Sequence, residues 1–468
     1  MRKYYVLGLV LLVCFSCDRS PVDSLNGNWK SIGSGWLLQI QDSTNYSFFD
    51  ITELSCLPTR EGPLSELLTD LDLDNDTLSL RRGVITYKFV PFKKLPEECY
   101  AELDPLRAES ALYNFEVFSQ TVKEHYAFMD SAAMPWDSLY NEQRNKILYD
   151  PTDATLYETL EETLELLNDN HGFLEASDSF YESYQPEYEP ESEEASLPEY
   201  GDFQVAAMVT DAFLEEDLTV DSPLINWGKI NDSLGYIQIK AMWLFADLDI
   251  PEEMIAEYGY VDAYVRTFQE LNEGDYIARE VEAVSKIMDR VMEDLSDTQA
   301  IVIDVRFNGG GQDAVSFEIL SRFTDKKLQV ATQKLKAGDG FSPVLSLFIQ
   351  GKPDAYLKPV FVLTSPQTGS AAEAFSIATM AMDNIMRVGS PTSGAMSTAL
   401  EKALPNGWHF AISNEVYMDN SGKGYEYLGV PTDIDIPYPN GRQEFFRSVV
   451  NDLEGDKRTI LKAVGMQK

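Results

Sequence analysis

Histidine is nearly missing from this chain: His125, His171 and His409 are the only three in 468 residues. A mechanism that needs an imidazole therefore has three candidates. Cysteine is scarce as well, with four residues, and two of them, Cys14 and Cys17, fall in an apolar N-terminal stretch. No His-Glu-x-x-His and no pair of Cys-x-x-Cys knuckles occurs, the spacings that set nitrogen and sulfur ligands around zinc, so no metal is expected. Positive charge is in deficit: 37 Lys and Arg stand against 77 Asp and Glu, a net charge of −40. Such a body repels phosphates and anionic headgroups, which excludes general nucleic-acid binding. No membrane-length apolar run occurs after the N-terminus, and a composition 44% hydrophobic and 24% charged fits neither a multi-span membrane protein nor a disordered chain. Neither G-x-G-x-x-G nor a glycine loop ending in Gly-Lys-Ser/Thr is found, so no nucleotide or other cofactor is expected. The G-x-S-x-G elbow of α/β-hydrolases is absent too.

What is present begins with an export signal. In residues 1–17, Arg2 and Lys3 precede an apolar stretch from Tyr4 to Phe15, which is too short for a membrane span. Ser16 before Cys17 resembles a bacterial lipoprotein cleavage site, which would anchor the mature protein to a membrane through lipid on Cys17 and place it in the cell envelope. An ordinary secretory signal is the alternative, and both export the chain. Cys56 and Cys99 remain, either as a disulfide in that oxidising compartment or as two buried thiols.

Periodicity divides the rest. Residues 22–103 alternate short β-like runs (WLLQIQ, YSFFDI, VITYKFV) with turns, among them Asn26-Gly27, and read as a small β domain. Residues 105–180 change to helical spacing, with Leu156, Leu160, Leu164 and Leu167 behind a cap at Asp153, and form a helical bundle ending in the turn that carries His171. Residues 181–202 are acidic, proline-bearing and poor in aliphatics, a linker. From 203 to 445 the chain is α/β: LGYIQI, AIVIDV and PVFVLT read as buried strands, with helices over 270–295 and from Ser370 to about Met382. Residues 446–468 form a C-terminal helix or tail.

Three segments carry chemistry. Asp304-Val305-Arg306-Phe307-Asn308-Gly309-Gly310-Gly311 follows a buried strand, and its glycines let bare N–H groups approach a ligand. Ser370 falls between a strand end and a helix start, where a nucleophile is exposed beside helix N–H groups; a capping serine is the plainer reading. A serine needs a base, and His171, on a turn beside Gly172, is better presented than His125 inside a helical pattern or His409 in a strand-like run.

Together these segments resemble the S41 peptidase family, which includes the carboxy-terminal processing proteases and the tricorn protease core. DVRFNGGG is similar to its Asp-Leu-Arg-x-Asn-x-Gly-Gly signature and TSPQTGSAAEAF to its nucleophile segment. GSPTSG (389–394), GYEYLGVPTDIDI (424–436) and LLNDNHGF resemble its later motifs and the Leu-x-Asp-x-His turn of the tricorn-like branch. The resemblance spans about 105–440 and implies a ClpP/crotonase-like β-α spiral core and a serine peptidase acting on peptides or proteins. It makes Ser370 the nucleophile, His171 the general base and Glu426 the supporting carboxylate, with the N–H groups of Gly310 and Ala371 as oxyanion hole.

Some positions depart from the family pattern. The processing proteases use a Lys where Ala395 stands, and Lys402 is seven residues too late, which selects the His-using branch. Asn170 replaces the Ser before the His; its amide can bond both His171 and Glu426. Tyr427 replaces a Gly after the Glu. Too few residues separate the bundle from the core for a PDZ module. These departures motivate the alternative of an inactive peptide- or ligand-binding lipoprotein on the same scaffold. An acyl-CoA enzyme of crotonase type is disfavoured by export.

Overall fold

The computed structural model describes residues 22–101, 103–184, 199–270 and 276–465. The export signal, Cys17 and the acidic stretch 185–198 lie outside the described residues.

Alternating apolar residues close the N-terminal region into one seven-stranded antiparallel sheet, in the order Cys56–Pro63, Asn45–Ile51, Trp36–Gln41, Gly27–Ser31, Ile85–Pro91, Thr77–Arg82, Leu71–Asp74. Leu38, Ile40, Leu78, Leu80 and Phe89 are buried in its core. Asn26-Gly27 makes no hairpin turn: Gly27 opens the first strand, and the hairpin after Trp36–Gln41 turns at Asp42 and Ser43, both left-handed (φ 51° and 56°). Short polar side chains tolerate that conformation through local hydrogen bonds. Cys56 and Cys99 are disulfide-bonded, joining an edge strand to the turn Glu97–Cys99.

Three helices follow, Ala111–His125, Trp136–Tyr149 and Asp153–Leu167. The last is capped by Thr152, whose hydroxyl accepts from Thr155 N–H, so Asp153 is the first helical residue and not the cap; its charge there complements the helix dipole. Leu156, Leu160 and Leu167 are fully buried, and Asn168 ends the helix in the left-handed region (φ 57°). His125 is buried at the end of its helix, held by Gly33 O at 2.9 Å. The short strand Phe173–Glu175 then pairs with His409–Ser413, stitching the bundle to the core.

The core is a second seven-stranded sheet, in the order Ile434–Asp435, Ile385–Gly389, Val360–Thr364, Ala300–Asp304, Leu234–Ile239, Ile225–Asn231, Glu216–Asp217. Its first five strands run parallel. Val360–Thr364 and Ala300–Asp304 are buried throughout, which is why they read as continuous apolar runs. Helices Tyr276–Asp294, Asp313–Leu320 and Ala371–Thr379 cover one face. Asp202–Phe213, Arg442–Val450 and Leu453–Ala463 cover the other. Of the helix anticipated over 270–295, the described residues show Tyr276–Asp294.

One buried cation fixes the end of the Ala300–Asp304 strand. Arg306 has no exposed surface; it pairs with Asp304 at 2.6 Å and Asp456 at 2.7 Å, and donates to Tyr438 at 2.9 Å. Two carboxylates hold the guanidinium well above its ordinary range, against the opposing effect of burial. Such a pair costs desolvation, but removing one partner strands the other.

The disulfide closes a loop with a sequence separation of 43 residues. Replacing Cys56 and Cys99 by Ser is expected to destabilise the N-terminal sheet by about 2–4 kcal/mol on loop-entropy grounds, read as an earlier denaturant midpoint.

Candidate active site

Strand ends of the parallel sheet place two loops side by side. After Ala300–Asp304, Asn308 turns the chain: its amide donates to Ile239 O (3.1 Å) and its Oδ1 accepts from Gly310 N–H (2.9 Å). After Val360–Thr364, Ser365 donates to Arg306 O (2.6 Å) and Thr368 to Val305 O (2.9 Å), so the second loop is bolted to the first. Gly310 (φ 116°) lies against Ser370; a Cβ there would come within 2.6 Å of Ser370 Cβ and 3.0 Å of Ala371 N. Only glycine allows this approach.

Ser370 stands just before the helix Ala371–Thr379 with φ 51° and ψ −122°, a backbone conformation a non-glycine residue adopts only when its surroundings enforce it. Its side chain makes no cap hydrogen bond to the helix, so the capping reading of this serine fails. Ala372 N–H is taken by Gly369 O, and Glu373 and Ala374 N–H by Ser370 O. That leaves Ala371 N–H as the first-turn donor at the Ser370 end. Gly310 N–H, expected beside it in an oxyanion hole, is held by Asn308 instead.

Glu373 supplies the enforcement. This fully buried carboxylate accepts from Thr392 Oγ1 (2.6 Å), Ser393 Oγ (2.9 Å), Gly394 N (2.8 Å) and Ala395 N (2.7 Å). Burial raises its pKa, and those four donors oppose the rise. Ala395 O in turn accepts Ser370 N–H at 2.9 Å. Sequence reasoning assigned Glu373 no role, although a lone acid in Ala-Ala-Glu-Ala-Phe was a signal.

Across the Gly394 loop lies the other half. Gly394 O accepts both Asn170 Nδ2 (3.1 Å) and Tyr427 N–H (2.7 Å), bringing the His171 turn beside Glu426. Asp169 fixes that turn, accepting His171 N–H (3.0 Å), Ser413 N–H (2.7 Å) and Ser413 Oγ (2.5 Å). Glu426 Oε2 accepts from Met396 N (2.9 Å) and Ser397 N (3.0 Å). Burial raises the Glu426 pKa to about 7; Met396 N–H opposes this, the Glu373 charge adds to it, and Ser397 N–H and the Asn170 amide oppose it. Burial lowers the His171 pKa, with the Asp169 charge opposing.

No hydrogen bond joins the His171 ring to Glu426, and the Asn170 amide donates to Gly394 O. His171 Nδ1 and Glu426 Oε1 are each buried without a hydrogen-bond partner, and among the described residues no bond joins the His171 ring to Ser370. His409 is exposed on its strand, opposite Glu175. Lys402 is buried against Asp50.

Three solved structures share the architecture: mature CPAF (14% identity, 77% of this chain and 98% of that one, TM-score 0.52), CPAF complexed with lactacystin (13%, 77% and 100%, 0.51) and a protein of Parabacteroides merdae ATCC 43184 (18%, 74% and 96%, 0.50). At these identities they show the fold. Residues 233–436, which contain the Gly310 loop, Ser370, Glu373 and Glu426, match the family model of peptidase family S41.

Proposed function

We propose that the protein is a serine endopeptidase acting on exported peptides or proteins. The observation that carries this reading is the enforced backbone of Ser370 (φ 51°) at a helix start, with Gly310 against it. Ser370 Oγ attacks the peptide carbonyl carbon while His171 accepts its proton. Ala371 N–H receives the developing oxyanion, and Gly310 N–H joins by leaving Asn308 Oδ1; each such donor is worth about 3–4 kcal/mol in the transition state. The C–N bond breaks as His171 returns the proton to the leaving amine, and water, deprotonated by the same imidazole, then frees the acyl group from Ser370.

Glu426 serves by closing on His171 Nδ1 and stabilising the imidazolium, while Asn170 steadies the turn. With its pKa depressed by burial, the imidazole is neutral and ready as a base at pH 7. The rate is therefore set on the acid side by Glu426, whose pKa of about 7 keeps it partly protonated at neutrality.

A second reading, a binding protein on the same scaffold, is favoured by the unmade His171–Glu426 bond. For location, an envelope protein anchored through Cys17 fits the N-terminal signal; no helix among the described residues is long and apolar enough to cross a membrane.

Ser370→Ala is expected to abolish peptide hydrolysis and labelling by a serine-reactive fluorophosphonate with an unchanged circular dichroism spectrum; wild-type protein that neither cleaves peptides nor takes the label would support the binder. The kcat of the wild type should rise with pH through a midpoint near 7, the pKa of Glu426, and Glu426→Gln should flatten that limb and lower the plateau. Cys17→Ser should move the protein from the membrane to the soluble fraction.

A further inference from the structure

Among the contacts between the N-terminal sheet and the core, two fasten the segment that holds the Glu426 carboxylate. Glu426 Oε2 rests on the N–H groups of Met396 and Ser397. The Ser397 hydroxyl accepts from Glu415 N–H at 3.1 Å. The Glu415 side chain is buried; its Oε1 accepts from Tyr87 OH of the N-terminal sheet at 3.2 Å, and its Oε2 from the Gln333 amide. Five residues past Ser397 begins a second contact with that sheet: Asp50 takes Lys402 Nζ at 2.5 Å and Ala403 N–H at 3.3 Å, and Lys402 also donates to Gly35 O at 3.4 Å. Residues 396–403 are thus fastened to two strands of the N-terminal sheet, Ile85–Pro91 through Glu415 and Asn45–Ile51 directly.

The same junction reaches the histidine. Glu415 lies two residues beyond Ser413, whose N–H and hydroxyl hold Asp169 and with it the His171 turn. Glu415 accordingly stands between the support of Glu426 on one side and the support of His171 on the other.

We infer that the N-terminal sheet is a clamp that sets the relative placement of Glu426 and His171, with Glu415 and Lys402 as positioning residues. It rests on the reading of Glu426 as partner of His171. Two features make the grip adjustable. A cavity of about 1130 Å³ separates the two fastenings, with Asp50, Tyr87, Thr398, Lys402 and Glu415 in its lining. Burial also raises the Glu415 pKa to about 7; Thr398 opposes the rise, the Asp313 charge adds to it and the Tyr87 hydroxyl opposes it. Asp313 is itself raised to about 6 by burial and bonded to Tyr417 OH. The cations facing this junction are Lys402, which lines the same cavity, and Arg82, which acts on Tyr87. Protonation changes what Glu415 offers Tyr87 and Gln333 from acceptance at both oxygens to acceptance at one, so the clamp is tightest with Glu415 ionised.

The test uses the full chain with Tyr87→Phe, which keeps the ring and removes one hydroxyl, and Glu415→Gln. Two quantities are read: kcat and KM against pH, and the titration of His171 by NMR, tractable because only His125 and His409 compete for assignment. Both variants are expected to lower kcat about fivefold or more while KM stays within about twofold, the pattern of lost transition-state positioning. The His171 midpoint should also move. A folded variant with wild-type kcat and wild-type His171 titration overturns the clamp, as does a fall in melting temperature with both of those unchanged. If the wild type hydrolyses no peptide, the peptidase reading fails, and the His171 titration still decides the clamp by itself.

Discussion

The site depends on one buried carboxylate that no one would assign to chemistry. Glu373 sits one turn into the helix that follows Ser370 and gathers four donors from residues 392–395. Hydrogen bonds to a charged group are each worth about 1.5–3 kcal/mol, enough together to hold a serine backbone in a conformation that costs about 1–3 kcal/mol. Because Gly394 O also receives Asn170 and Tyr427, the same loop transmits the constraint from the serine to the histidine turn and Glu426. A strained serine, a carboxylate and an imidazole on three distant segments therefore share one small loop as their common reference.

An acidic protein with carboxylates in its interior faces a problem of desolvation. Asp304 solves it by pairing with Arg306, and Asp50 by pairing with Lys402. Glu373, Glu415 and Glu426 have no cation in their hydrogen bonding and rely on N–H, O–H and amide donors instead. The consequence is visible in their titration, since burial pushes all three upward. Charge in this interior is thus fixed where it supports architecture and left adjustable near the histidine.

Much of the core was legible because its physics is local. Continuous apolar runs such as Val360–Thr364 have one reading when bounded by turns, and the leucines of Asp153–Leu167 recur at a period that only a helix satisfies. The glycines at 309–311 and the serine at 370 were legible as a place where backbone meets something closely. Relations between segments were not. That Thr152 and not Asp153 caps its helix depends on one rotamer. That Gly310 N–H bonds to Asn308 depends on a loop conformation. The partners of Glu373 lie some 20 residues along the chain, and those of Glu415 reach back to Tyr87; no periodicity encodes such meetings.

The two departures from the family pattern look damaging in sequence and are absorbed in three dimensions. Tyr427 occupies a glycine place and indeed takes a positive φ of 61°, a strain of about 1–2 kcal/mol for a side chain with Cβ. Its hydroxyl meets Tyr126 OH at 3.0 Å, Tyr126 donates onward to Leu167 O at 2.9 Å, and its ring packs edge-on against Phe128. Those contacts offset the strain and tie the residue beside Glu426 to the helix end from which the His171 turn departs. Asn170, in place of a hydroxyl, reaches Gly394 O with a donor a serine is too short to extend as far. Both changes exchange small, mobile groups for larger anchored ones. They brace the turn that carries His171 and the segment that carries Glu426 against each other through the bundle and the Gly394 carbonyl, so the two residues that depart from the pattern are the ones that fasten these segments together.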